Sequence, residues 1–104
     1  MNIQEIAEEH VRIMKANGWA NLTIDSWDNA DKIPAQLALI HSEVSEALEA
    51  FRKDDMQEFR LELADVFLRT LGLAYTLGID LEVETLSKME VNRHRGFKHG
   101  GMII

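Results

Sequence analysis

The sequence contains no cysteine, one proline and six glycines among its 104 residues. The absence of cysteine excludes thiolate nucleophiles, thiolate metal ligands and disulfides, and it is compatible with a reducing compartment. With so little proline and glycine, there is little room for irregular or low-complexity structure. A chain of this length fits one compact domain, so we expect residues 1–104 to form a single domain, with 96–104 as a tail that can be flexible.

Positive charge and long apolar runs are also scarce. Eleven Lys and Arg face 18 Asp and Glu, and the net charge of −7 argues against binding to a nucleic acid polymer, whose phosphates require many cations. The longest apolar segment is interrupted by Arg69 and Asp80, which leaves too few residues for a membrane span. The first ten residues are polar and acidic, unlike an export signal, so we expect a cytoplasmic protein without a membrane partner.

Hydrophobic residues recur at helical spacing in four segments, and no segment shows the alternation of a strand. Gly18 and Gly78 are placed to end the first and third helices, while Asp55 and Asp80 are placed to cap the third and fourth. Glu58 is placed to complete a capping box with Asp55. We therefore predict an all-α four-helix bundle with a long loop after the first helix. The predicted helices span residues 3–16, 34 to about 53, 56 to about 77 and 81 to about 93.

Two acidic pairs stand out on the second and third predicted helices. Glu43 falls within the apolar arc of the second helix, and Glu46, three residues later, lies at the edge of that arc. Glu62 and Asp65 have the same spacing on the third helix, on the narrow polar strip that its apolar residues leave. Antiparallel packing of these helices would let the two pairs face each other.

Four carboxylates in a poorly hydrated place require compensation, because an unpaired buried carboxylate is costly or takes up a proton. A hard divalent cation with oxygen ligands provides it, which favours Mg²⁺ with Mn²⁺ as a substitute. The alternative is ordinary ion pairing at the rim of the bundle, such as Asp65 with Arg69 at i, i+4. Two acidic pairs on adjacent helices favour the cation over this alternative.

The fourth predicted helix carries a polar stripe of Lys88, Asn92 and Arg95 at i, i+4 and i+7. Such a stripe can bind phosphates, and Lys98 in the tail can extend it. Taken alone, the stripe is better explained as a solvated face whose cations interact favourably with the end of the helix dipole.

Base recognition has two weaker candidates. Trp27, in the predicted loop, can stack on a base, although an aromatic residue in such a loop more often packs it against the bundle. Gln36 lies on the same face of the second helix as Glu43 and can hydrogen-bond a base or sugar.

Three motifs together resemble a known family. SEVSE at 42–46, ELAD at 62–65 and KMEVNRHRGFKHGG at 88–101 resemble the all-α nucleoside triphosphate pyrophosphohydrolases of the MazG type, especially the short, phage-like members. The resemblance implies Mg²⁺-dependent cleavage of a nucleoside triphosphate to a monophosphate and pyrophosphate. It also implies a homodimer or homotetramer, and a role in sanitising the nucleotide pool.

The same resemblance assigns roles to individual residues. It matches Glu43, Glu46, Glu62 and Asp65 to the metal ligands, Glu46 also to the group that orients or deprotonates the attacking water, and Lys88, Asn92 and Arg95 to the phosphate-binding positions. One position departs from the family pattern, because Ser42 occupies the first acidic place of E-E-x-x-E. This departure leaves the number of bound metal ions and the identity of the base open.

Two other classes of protein are alternatives to the hydrolase. A di-iron bundle uses E-x-x-H pairs, and neither acidic pair has a histidine in that place. A non-enzymatic helical interaction module would carry its acids as a surface stripe, for a basic partner or for solubility.

Overall fold

A computed structural model describes residues 1–18 and 31–95 of the chain. Within these residues there are four helices and no strand, so the all-α prediction is confirmed. Trp27 and Lys98 lie outside the described residues. The helices are α1 (Ile3–Ala16), α2 (Lys32–Arg52), α3 (Met56–Thr76) and α4 (Leu81–Arg93).

Side-chain caps fix where three of the helices begin. At the start of α1, the Asn2 side chain accepts a hydrogen bond from the backbone N–H of Glu5, and the Glu5 side chain accepts one from the backbone N–H of Asn2. Asp55 Oδ1 accepts from the N–H of Glu58 at 3.0 Å, while Asp80 caps α4. The predicted capping box of α3 is therefore only half present.

The turn between α2 and α3 sets the geometry of the acidic pairs. Asp55 N–H donates to Ala50 at 2.9 Å and Asp54 N–H donates to Phe51 at 3.0 Å, the two hydrogen bonds of a Schellman ending. Asp54, the residue after the C-cap of α2, is in the left-handed region with φ of 58°. Gly78 occupies the equivalent position after α3. This tight reversal lays α3 back along α2.

α3 is the central helix, since it packs against α2, α1 and α4 and has its most extensive contact with α2. Its Gly72 faces His10 of α1, because a Cβ atom at Gly72 would lie 3.3 Å from His10 Cδ2. Small side chains dominate the core and let the helices approach closely. The buried hydrophobic residues are Ala7, Val11, Ala47, Ala50, Leu71 and Ala74.

Many large apolar side chains of the described residues are exposed. Large hydrophobic side chains at heptad-like spacing are exposed on α2 and α3, and α4 has no buried residue. Among the described residues, no helix is long and apolar enough to cross a membrane. The exposed side chains that form this apolar face are Leu37, Val44, Leu48 and Phe51 on α2, with Met56, Leu63 and Phe67 on α3.

Candidate metal centre

The antiparallel packing of α2 and α3 brings three carboxyl groups to one place. Glu43 and Glu62 are each only 8% exposed, whereas Asp65 is exposed at the edge of the group. One carboxylate oxygen from each of the three lies within 4.8 Å of the others. We refer to Glu43, Glu62 and Asp65 as the acidic cluster.

Two oxygen atoms of the acidic cluster have no protein partner. Oε2 of Glu43 and Oε2 of Glu62 are buried and accept no hydrogen bond from the described residues. Buried polar atoms are nearly always satisfied in native structures, so these two oxygens are candidate ligand atoms for a cation. The donor set consists of carboxylate oxygens, which suits Mg²⁺ or Mn²⁺ and fits the residues present.

Glu46 lies beside the acidic cluster rather than in its interior. The residue is exposed, and its carboxyl group is close enough to those of Glu43 and Glu62 to shift the pKa of both. The structure therefore places all four sequence-predicted acids in one neighbourhood, two of them buried and two open to solvent.

Arg69 connects the acidic cluster across the two helices. Its Nε donates a hydrogen bond to Glu43 Oε1 at 2.8 Å. The sequence offered Asp65 as an i, i+4 partner for Arg69, but the guanidinium pairs with the more deeply buried acid on α2. A buried carboxylate benefits more from a directional cation than an exposed one does, because water already solvates the latter.

The two buried acids differ in ionisation. Burial alone would raise the pKa of Glu43, but the hydrogen bond and the positive charge of Arg69 outweigh it and hold that pKa below its ordinary value. The pKa of Glu62 is raised to about 8 by the nearby carboxyl group of Glu58, by burial, and by the carboxyl groups of Glu46 and Glu43. Without a metal ion, one glutamate is thus held ionised and the other protonated at neutral pH.

Sequence reasoning missed two residues near the acidic cluster. His10 of α1 lies close to α3, and its pKa is lowered by burial and by the charge of Arg69, with Asp65 opposing. Glu58 lies near Glu62 and is the main cause of the raised pKa of Glu62. Helical spacing held a signal for both, since His10 lies on the apolar stripe of α1 and Glu58 is four residues before Glu62.

The predicted phosphate-binding stripe lies in a different concavity. Lys88 and Asn92 line an open groove along α4 that also includes Leu81 and Met89, and no member of the acidic cluster lines it. Arg95 follows the end of α4 and is exposed, while Gln36 is half-buried on α2. Within one chain, the structure brings the acids together but shows no contact between them and these four residues.

The antiparallel pair α2 and α3, with its cluster of carboxyl groups, defines an all-α protein that carries a candidate site for a divalent cation. Residues 33–96 match the family model of the MazG nucleotide pyrophosphohydrolase domain, and the chain belongs to this family. The match covers the acidic cluster and α4. No curated protein and no solved structure matched the chain. Family membership indicates a hydrolase acting on nucleotide pyrophosphate bonds, and members are typically metal-dependent.

Proposed function

We propose that this chain is a Mg²⁺-dependent pyrophosphohydrolase that cleaves a (deoxy)nucleoside triphosphate to its monophosphate and pyrophosphate, with Mn²⁺ as a substitute metal. Its role would be to remove aberrant nucleotides from the cytoplasmic pool. The observation that carries the proposal is the acidic cluster, in which Glu43 and Glu62 are buried and each retains an orphaned oxygen. A surface stripe for a basic partner would have left these two acids exposed.

The four acids of α2 and α3 are assigned to metal binding and to activation of water. Glu43, Glu62 and Asp65 would hold the divalent cation, with Glu46 as a further ligand. A bound divalent cation neutralises triphosphate charge and polarises a coordinated water. Glu46 is exposed next to the acidic cluster, so it can accept the proton of the attacking water. No covalent nucleophile is needed, because phosphoryl chemistry depends mainly on positioning and charge stabilisation.

Lys88, Asn92 and Arg95 are assigned to the phosphates. Two cations and an amide on exposed positions of α4 suit an anionic ligand, and the groove beside Lys88 and Asn92 is open. These residues would come close to the acidic cluster only in an oligomer, where α4 packs against another copy of the chain. Trp27, Gln36 and Lys98 remain candidates for base, sugar and phosphate contacts.

Pyrophosphate release from a panel of nucleotides tests the function. We expect at least one nucleotide to yield pyrophosphate with Mg²⁺ and none with EDTA, and Glu43→Gln to lower kcat by about 100-fold or more. Glu49→Gln is the matched control, because Glu49 is exposed on the same helix and pairs with Arg52 and Lys53. Release of single phosphate, or equal losses in both variants, would contradict the proposal.

We also propose that the active form is a homodimer or homotetramer. The support for this is the set of large apolar side chains exposed on α2 and α3, which a second copy of the same face can cover. Packing two such helix pairs would produce a four-helix core with coiled-coil-like seams.

A further inference from the structure

Arg69 reaches from α3 to the buried glutamate of α2. The arginine side chain is 32% exposed and the Glu43 side chain 10%, so their hydrogen bond is largely shielded from water. The bond is made by Nε, which lies within the planar guanidinium and fixes the direction of approach. His10 of α1 packs against α3 at Gly72, one turn beyond Arg69, and the pKa of His10 is lowered by burial and by the charge of Arg69.

Because of this hydrogen bond, the two carboxylate oxygens of Glu43 have different surroundings. Oε1 accepts from Arg69 at 2.8 Å, whereas Oε2 is buried with no donor among the described residues. The last torsion of a glutamate is soft, so an unrestrained carboxylate rotates between orientations. Outer partners that hold a ligand carboxylate are the usual means of fixing which oxygen meets a metal ion.

We propose that Arg69 is a positioning residue for the metal centre. By holding Oε1 of Glu43, it leaves Oε2 as the oxygen available to the divalent cation shared with Glu62 and Asp65. The inference rests on the proposed function, since it requires that the acidic cluster bind a metal ion. The competing account is a structural ion pair that only joins α2 to α3.

Direct binding of Mn²⁺ to the nucleotide-free protein distinguishes these accounts. Removing a positive charge next to a cation site would by itself strengthen cation binding. We expect the opposite for Arg69→Met, a weakening of about 10- to 100-fold, because Glu43 loses its orientation. Arg69→Lys should weaken binding as well, since an ammonium restores the charge without the planar geometry. Free Mn²⁺ measured by electron paramagnetic resonance gives the affinities.

Arg60→Met is the matched control, because Arg60 is exposed on the same helix and its loss changes the net charge equally. Its affinity for Mn²⁺ should stay within about twofold of the wild type. Circular dichroism establishes whether each variant is folded. If Arg69→Met is not folded, the comparison of Arg69→Lys with the wild type provides the test.

Each remaining outcome is decisive. If both Arg69 variants bind Mn²⁺ as the wild type does and only melt at a lower temperature, the pair is structural and the inference is wrong, while the proposed function stands. If Arg69→Lys alone retains full affinity, charge rather than geometry matters and the positioning role is wrong. If the wild type binds no Mn²⁺ and releases no pyrophosphate, the proposed function fails and the inference fails with it.

Discussion

The carboxyl group of Glu62 is held protonated in the metal-free protein up to a pKa of about 8, against an ordinary value of 4.5. Between these values the folded chain binds a proton that the unfolded chain has lost. The stabilising contribution is therefore complete below pH 4.5, declines as pH rises and is absent above about 8. The lowered pKa of Glu43 acts in the other direction, because its contribution is present above 4.5 and is lost as pH falls through the lowered value.

Glu62→Gln imitates the protonated glutamate at every pH. In EDTA we expect this variant to melt close to the wild type at about pH 5 and at a higher temperature than the wild type at about pH 8.5, where the wild-type carboxyl group must ionise. Thermal melts of both proteins across this range provide the measurement. Glu49→Gln, which also removes one carboxylate, controls for the change in net charge. A difference in melting temperature that does not depend on pH would contradict the raised pKa.

The residue scale also shows what the sequence could and could not predict. Helical spacing was sufficient to place Glu43 inside the apolar arc of its helix and to select Glu62 and Asp65, because the period of a helix is fixed. It could not choose the partner of Arg69, since Asp65 and Glu43 are both within reach of a long side chain. That choice depends on the register between α2 and α3, which only the folded turn determines.

At the scale of the element, the turn from α2 to α3 determines that register. Asp54 occupies the left-handed position of the Schellman ending, with φ of 58°, and the same position after α3 is filled by Gly78 with φ of 73°. A residue with a Cβ atom is strained there, and glycine is not. The helix ends are predictable because caps are local signals, whereas the left-handed conformation of Asp54 is not, because that position usually takes glycine.

Asp54→Gly should stabilise the protein, because it removes the strain of a left-handed aspartate while the two Schellman hydrogen bonds remain. We expect the free energy of unfolding to rise by about 1 kcal/mol, as measured by urea denaturation. Gly78→Ala is the converse change at the equivalent position after α3 and should lower the free energy of unfolding by a similar amount. A loss of stability in Asp54→Gly would show that the aspartate side chain contributes more than its strain costs.

At the scale of the whole molecule, two features stand out: the exposed apolar face of α2 and α3, and the absence of any buried residue in α4. Phe51 is 66% exposed and Leu48 58% exposed, yet both lie on well-formed helices at heptad-like spacing. The sequence predicted an apolar third helix and, through resemblance, an oligomer, and one described chain leaves that surface uncovered. Periodicity could not predict the position of Lys88 and Asn92 relative to the acidic cluster. α4 has no buried residue, so no apolar stripe defines how this helix packs.

Leu48→Glu tests the assembly. If the wild type forms the proposed dimer or tetramer, a charge in the centre of the apolar face should shift it to a smaller species, because a buried unpaired carboxylate is costly. Light scattering after size exclusion measures the mass. Ser45→Glu places the same charge on another face of α2, where Ser45 is exposed, and should leave the mass unchanged. A monomeric wild type at the concentration of the activity assay would contradict the proposed oligomer.

The central claim is that the acids of α2 and α3 hold one divalent cation between them. The most direct measurement is an anomalous difference map from crystals grown with Mn²⁺ and a nucleotide. The account predicts a peak about 2.0–2.3 Å from oxygens of Glu43, Glu62 and Asp65, and no such peak in Glu43→Gln. A map with no peak at the acidic cluster of the wild type, or with Mn²⁺ bound only elsewhere, would contradict it.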